Sequence, residues 1–148
     1  MLVDYLRYFQ QTLLLKTEGL DETQLRHSIV PSGLSLLSLL KHTAIVHRWW
    51  LRHVFAGEDV AFPWSDTDPD ADWRVEPGET YASIRALYED ETARGLVIAL
   101  AAQPDAIVER GERRISLRWI LLHMIEEMAR HSGQADIFRE LTDGQTGV

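Results

Sequence analysis

The stretch that decides the fold is residues 116–141, SLRWILLHMIEEMARHSGQADIFREL. Ser116 is a good helix N-cap, and Asp143-Gly144 closes the stretch with a residue suited to the left-handed conformation of a helix end. Between them Leu117, Ile120, Met124, Glu127, His131, Gln134, Phe138 and Leu141 recur at alternating steps of three and four, the spacing of side chains that face partner helices. This predicts a long helix within an all-α bundle. Three polar residues interrupt the seam at its middle. An ionisable Glu inside a bundle costs several kcal/mol unless it is paired, hydrogen-bonded or bound to a metal, so Glu127 needs a partner.

Glu127 and His131 are spaced i, i+4, which puts both side chains on one face about 6 Å apart, able to converge on one ion. A buried Glu–His hydrogen bond without metal would satisfy the same groups, so a third ligand has to come from another helix. Residues 35–56, SLLSLLKHTAIVHRWWLRHVFA, form the next helical segment, with Ser35 or Ser32 as N-cap and Gly57 as its stop, and they offer His42, His47 and His53. His42 lies on the flank of an apolar stripe near the segment's centre. His47 is five residues on, about 140° around the axis, and cannot aim at the same point. His53 shares the azimuth of His42 but lies about 16 Å along the axis. His42 is therefore the natural partner. His123, one turn before Glu127, reads as an outer ligand, a proton carrier, a hydrogen-bonding support or a satisfied core histidine. Gln134 and Glu91 could orient the ligands or a bound nucleophile, although a solvated face residue is the plainer reading of Glu91. Two His and one Glu leave a position open on Zn²⁺ or a similar divalent ion, which could present a water or a thiol as nucleophile near neutral pH.

The rest of the chain supplies the walls. Leu2, Leu6, Phe9 and Leu13 mark a helix over 2–18 that Gly19 stops, and Asp21 with Gln24 has the reach of a capping box for one short turn over 21–27. Thr80 can cap a helix over 80–102 that Pro104 ends, and residues 105–115 read as a short extended or hairpin-like excursion around Gly111. The stretch 57–78, GEDVAFPWSDTDPDADWRVEPG, reads as a long ordered loop, because Trp64 and Trp73 argue against disorder. They either pin the loop or close a pocket. Trp49, Trp50 and Trp119 read as packing residues.

Composition excludes several classes. The chain has 148 residues with 15 Lys+Arg against 23 Asp+Glu, a net charge of −8, and 45% of it is apolar. Its length suits one domain over 1–148 with an ordinary apolar core. With no cysteine there is no disulfide, thiolate cage or cysteine nucleophile, so any metal site must use His, Asp or Glu. Asp4 and Arg7 break the apolar run at the start, which argues for a cytoplasmic protein. The longest nearly uncharged stretch, residues 29–40, is about a dozen residues against the roughly 20 that cross a bilayer, so a membrane partner is not expected. Acidity and the lack of a basic cluster beyond Arg110, Arg113 and Arg114 argue against nucleic acid as well. Five tryptophans and long apolar helices leave room for a homodimer, although no heptad face marks an interface.

The segments GLDETQLR, VPSGLSLLSLLKHTAIVHRWWLRHVFAG, DPDADWRVEPGET and SLRWILLHMIEEMARHSGQADIFREL, taken together, carry a resemblance that covers nearly the whole chain. It resembles the DinB/YfiT-like metalloenzyme superfamily, especially its actinobacterial mini-circle-protein branch, related to the mycothiol-dependent maleylpyruvate isomerase domain. The resemblance implies an antiparallel four-helix bundle of DinB type with long connecting loops and a divalent metal, zinc or nickel, at one end of the core. It puts the metal histidine of the second helix on His42 and the last histidine of an H-x-x-x-H motif on His131. Glu127 replaces the first histidine of that motif, as in the isomerase-like variant, and Gln134 stands where related chains commonly have His. The implied reaction is that of an S-transferase or isomerase using a low-molecular-weight thiol such as mycothiol or bacillithiol, activated by the metal, with a small-molecule electrophile meeting it under the 57–78 loop. The alternatives are a hydrolase using metal-bound water and a non-catalytic binding or stress-response bundle.

Overall fold

Hydroxyl and carboxyl side chains decide where the helices begin. In the computed structural model, which describes residues 1–147, α1 (Leu2–Leu15) is followed by the short α2 (Glu22–Arg26), opened by the reciprocal capping box of Asp21 and Gln24. Ser35 caps α3 (Leu36–His47), Thr80 caps α4 (Tyr81–Ala101) and Ser116 caps α5 (Leu117–Asp143), each accepting from the amide three residues on. Gly144 ends α5 with φ 81°. Between α4 and α5, β1 (Ile107–Arg110) pairs antiparallel with β2 (Arg113–Ser116), the excursion expected over 105–115.

Two elements depart from expectation. The first helix stops at Leu15 rather than at residue 18, because the amides of Thr17 and Glu18 turn tightly onto the carbonyls of Leu14 and Leu15 before Gly19 redirects the chain. The second segment is not one regular helix. After α3 the chain continues as a π-helix, Arg48–Phe55, in which the Ala56 amide reaches back five residues to the Leu51 carbonyl. Leu51 fills the space that a side chain at Gly95 of α4 would need: a Cβ there would lie 2.7 Å from Leu51 Cδ1.

The long helices share one core. α1 lies on α5 and α4, and α3 lies on α4 and α5, burying Leu6, Leu13, Leu40, Ile84, Tyr88 and Met124. The buried face of α5 follows Leu117, Ile120, Leu121, Met124, Met128, His131, Ser132, Ala135 and Phe138. Gln134 and Leu141, placed on the seam by a strict 3.5-residue repeat, are exposed, and Glu127 sits at its edge. The reason is geometric: a straight helix drifts by about 20° per heptad from that repeat. Far from the seam's polar centre, buried Arg139 donates to the carbonyls of Lys16 and Glu18, at 3.1 and 2.6 Å, so α5 satisfies the open end of α1. Among residues 1–147 no helix is long and apolar enough to cross a membrane.

One core histidine makes the fold acid-sensitive. His47 is fully buried; its Nδ1 donates to the Thr43 carbonyl at 2.7 Å, and its Nε2 accepts from the Gln10 amide at 2.8 Å. Burial pushes its pKa down from 6.5 to about 4. Between those values the unfolded chain binds the extra proton and the folded one does not, so stability is full above 6.5 and falls as pH drops toward 4. The loss amounts to about 3 kcal/mol from this group. Urea unfolding at a series of pH values should show that slope, and His47→Gln should flatten it; an unchanged slope in the variant would assign the acid lability elsewhere.

Candidate functional site

Helix α5 presents Glu127 and His131 on successive turns, and α3 brings His42 against them. One ligand atom from each of His42, Glu127 and His131 lies within 4.8 Å of the others. The His42 and His131 rings meet edge to face, 5.1 Å between centroids. Each imidazole has its proton placed by a neighbour. His131 Nδ1 donates to Gln134 Oε1 at 2.8 Å, and His42 Nδ1 donates to Asp72 Oδ2 at 2.6 Å. Both rings thus keep Nε2 as the nitrogen not taken up by that neighbour.

Electrostatics make this arrangement unusual. Burial is the largest influence on His131 and holds its pKa below the ordinary 6.5, despite the opposing pull of Gln134 and Glu127. At neutral pH the ring is therefore uncharged. Its Nε2 is buried without a hydrogen-bond partner, yet it faces Glu127 Oε2 at 3.3 Å. A nitrogen lone pair and a carboxylate oxygen repel at that distance unless a proton or a cation lies between them. Arg130 reaches only the other oxygen of Glu127, at 3.2 Å. The cluster thus has the donor set of a divalent cation, two imidazoles and a carboxylate.

The long loop completes the site. Its single turn of 3₁₀-helix, Ala71–Trp73, buries Asp72 against α3, and Trp73 stacks on His42 with centroids 3.5 Å apart and planes 13° from parallel. The Trp73 ring also meets His131 edge to face at 5.6 Å. Elsewhere the loop is tied by Arg48 to the Ala61 carbonyl and by Lys41 to the Arg74 carbonyl, at 2.9 and 2.6 Å. It is ordered, as its tryptophans predict: Trp64 stacks on Phe62 and meets Trp49. Beside His42 a cavity of about 750 Å³ opens, lined by Trp49, Trp50, Trp64 and Trp73. Trp73 also lines a second cavity, of about 810 Å³, with Arg26, Ser35, Ser38 and Arg74.

Some anticipated residues lie elsewhere. Glu91 is neither a solvated face residue nor a support for the cluster: it is 1% exposed and bonds Arg48 and Arg52, at 2.8 and 2.9 Å. His123 does not join the cluster either, because it stacks on Trp119 and meets Trp50 edge to face. His53 turns toward Trp49 and Phe62, with Nδ1 donating to the Glu58 carbonyl at 3.2 Å. The sequence does not single out Asp72, and Trp73 reads from it only as a pin or lid; the sole local signal is a tryptophan following an aspartate in an otherwise acidic loop.

Comparison with known proteins bears on the family and the fold. A family model described as mycothiol-S-transferase matches residues 1–144. A solved structure, described as the conserved protein of locus from Enterococcus faecalis, is similar at 14% identity and TM-score 0.72, covering 97% of this chain and 96% of that one, which speaks to the fold alone. The comparison with curated proteins gives no match.

Removing the Glu91 carboxylate leaves two guanidinium groups without their shared partner. Glu91→Gln should lower the unfolding free energy by roughly 2–3 kcal/mol, less than opening a fully buried pair because both arginines keep some solvent. Urea unfolding measures this, and a cost near zero would show that water replaces the carboxylate.

Proposed function

Because the chain belongs to the mycothiol-S-transferase family, we propose that it is a metal-dependent thiol S-transferase or isomerase, one antiparallel four-helix domain in which His42, Glu127 and His131 hold zinc or nickel. The observation that carries this reading is that His42, Glu127 and His131 bring one ligand atom each within 4.8 Å of one another, with His131 Nε2 buried, without a hydrogen-bond partner and 3.3 Å from Glu127 Oε2. When bound, such a cation supplies the positive charge that lowers the pKa of a thiol toward neutrality. The chain's own residues do the rest. Asp72 and Gln134 keep the imidazole protons on Nδ1, which fixes ring orientation and raises donor strength at Nε2. Trp73 covers one face of His42 and keeps water from it. The two cavities that share Trp73 give room for two reactants, a low-molecular-weight thiol such as mycothiol or bacillithiol and a small electrophile. In the transfer, the thiol sulfur bonds the electrophilic carbon, the leaving group departs with its electron pair, and the thiol proton is released.

Elemental analysis of protein purified without a metal-affinity tag should find about one equivalent of a divalent metal, lost in His42→Ala and in Glu127→Ala while the fold persists. Asp72→Asn should keep the fold and weaken metal affinity by about 10–100-fold. No metal after equilibration with zinc, nickel and ferrous iron would overturn the reading. Turnover that proceeds equally well in buffer without thiol would replace transfer by hydrolysis.

A further inference from the structure

The cavity beside His42 has a composition that the metal and the thiol do not explain. Four of the chain's five tryptophans line it, Trp49, Trp50, Trp64 and Trp73, together with Val46 and Pro69. All four are only half-buried, so the fold leaves indole surface facing the space. Trp49 and Trp50 are consecutive, yet both line the same cavity, and they do so on the π-helical stretch, whose wider turn departs from ordinary helical spacing. At about 750 Å³ the open space is of the size that accommodates one small organic molecule.

Its charge narrows the occupant. The ionisable residues of the lining are His42, Asp66 and Asp72, with no lysine or arginine among them. Asp72 is bonded to His42, and Asp66 is exposed and faces no cation of the lining. Among the lining side chains a carboxylate or sulfonate would meet two carboxylates and no lysine or arginine, whereas a planar ring would meet indole faces and edges. We propose that this cavity binds an uncharged planar aromatic molecule, and that the electrophile of the reaction belongs to that class. The second part rests on the thiol-transfer reading; the binding does not.

The test is non-covalent binding of naphthol and of its anionic counterpart naphthoate to the full-length protein with no thiol added, followed by calorimetry and by the indole N–H resonances in NMR spectra. Naphthol should bind and shift the resonances of Trp64 and Trp73, with naphthoate weaker by about tenfold or more. Trp64→Ala, a loop substitution outside the core, should weaken naphthol by about tenfold, and Trp49→Leu should do the same from the helical wall. Absence of naphthol binding, equal binding of naphthoate, or shifts confined to Trp119 would each overturn the proposal. Metal content and thiol dependence are measured separately, so naphthol binding in a protein that lacks both would sink the transferase reading and leave the aromatic site standing.

Discussion

The short bond between Asp72 and His42 is the contact on which the site's architecture turns. It takes up Nδ1 of His42, leaving Nε2 as the ring nitrogen available to the cluster with Glu127 and His131. It also anchors a loop of more than twenty residues to α3 at the point where chemistry is proposed. Trp73, the next residue, then has no choice of position: the turn that buries Asp72 lays the indole flat on the same imidazole. A single carboxylate thus sets a tautomer, a ring orientation and the wall between two cavities. The loop and the His42–Glu127–His131 cluster are tied together at this one contact.

Buried charge follows a similar economy. Glu91 sits under Arg48 and Arg52, and Lys41 reaches Glu79 and a loop carbonyl, so the charged groups along α3 and its π-helical continuation each tie that strip to α4 or to the loop. His47 is the exception, buried neutral and satisfied by Thr43 and Gln10. The polar residues of this strip therefore divide into those that hold neighbours in place and one, His42, whose second nitrogen stays free for a ligand.

Much of the fold was legible in the sequence because helix ends are decided locally. Ser35, Thr80, Ser116 and the Asp21–Gln24 pair begin helices by bonding amides within three residues, which spacing alone reveals. The meeting of His42 with Glu127 and His131 was legible too, since it depends on the azimuth of each residue on its own helix. A heptad reading misplaced Gln134 and Leu141, because a straight helix turns faster than a 3.5-residue repeat, and the error grows along a helix as long as α5. What stayed hidden depends on long-range pairing. Asp72 gains its role from a loop whose path no periodicity encodes. Glu91 owes its burial to Arg48 and Arg52, 43 and 39 residues away, a pairing that leaves no mark in the hydrophobic pattern.

That π-helical turn also changes what kind of variation the site can tolerate. Its end is braced by Arg110 of the hairpin, which donates to the Val54 carbonyl at 2.9 Å, so the extra width is held rather than relaxed. A π-turn holds more backbone per revolution than an α-turn, so its geometry is encoded in chain length more than in residue identity. Exchanging one aromatic residue for another between 48 and 55 would alter the cavity's lining but keep its address. Deleting one residue there would wind the stretch back to α spacing and re-phase Trp49 and Trp50 against every other wall. Related chains are thus expected to vary freely in the letters of this segment while holding its count.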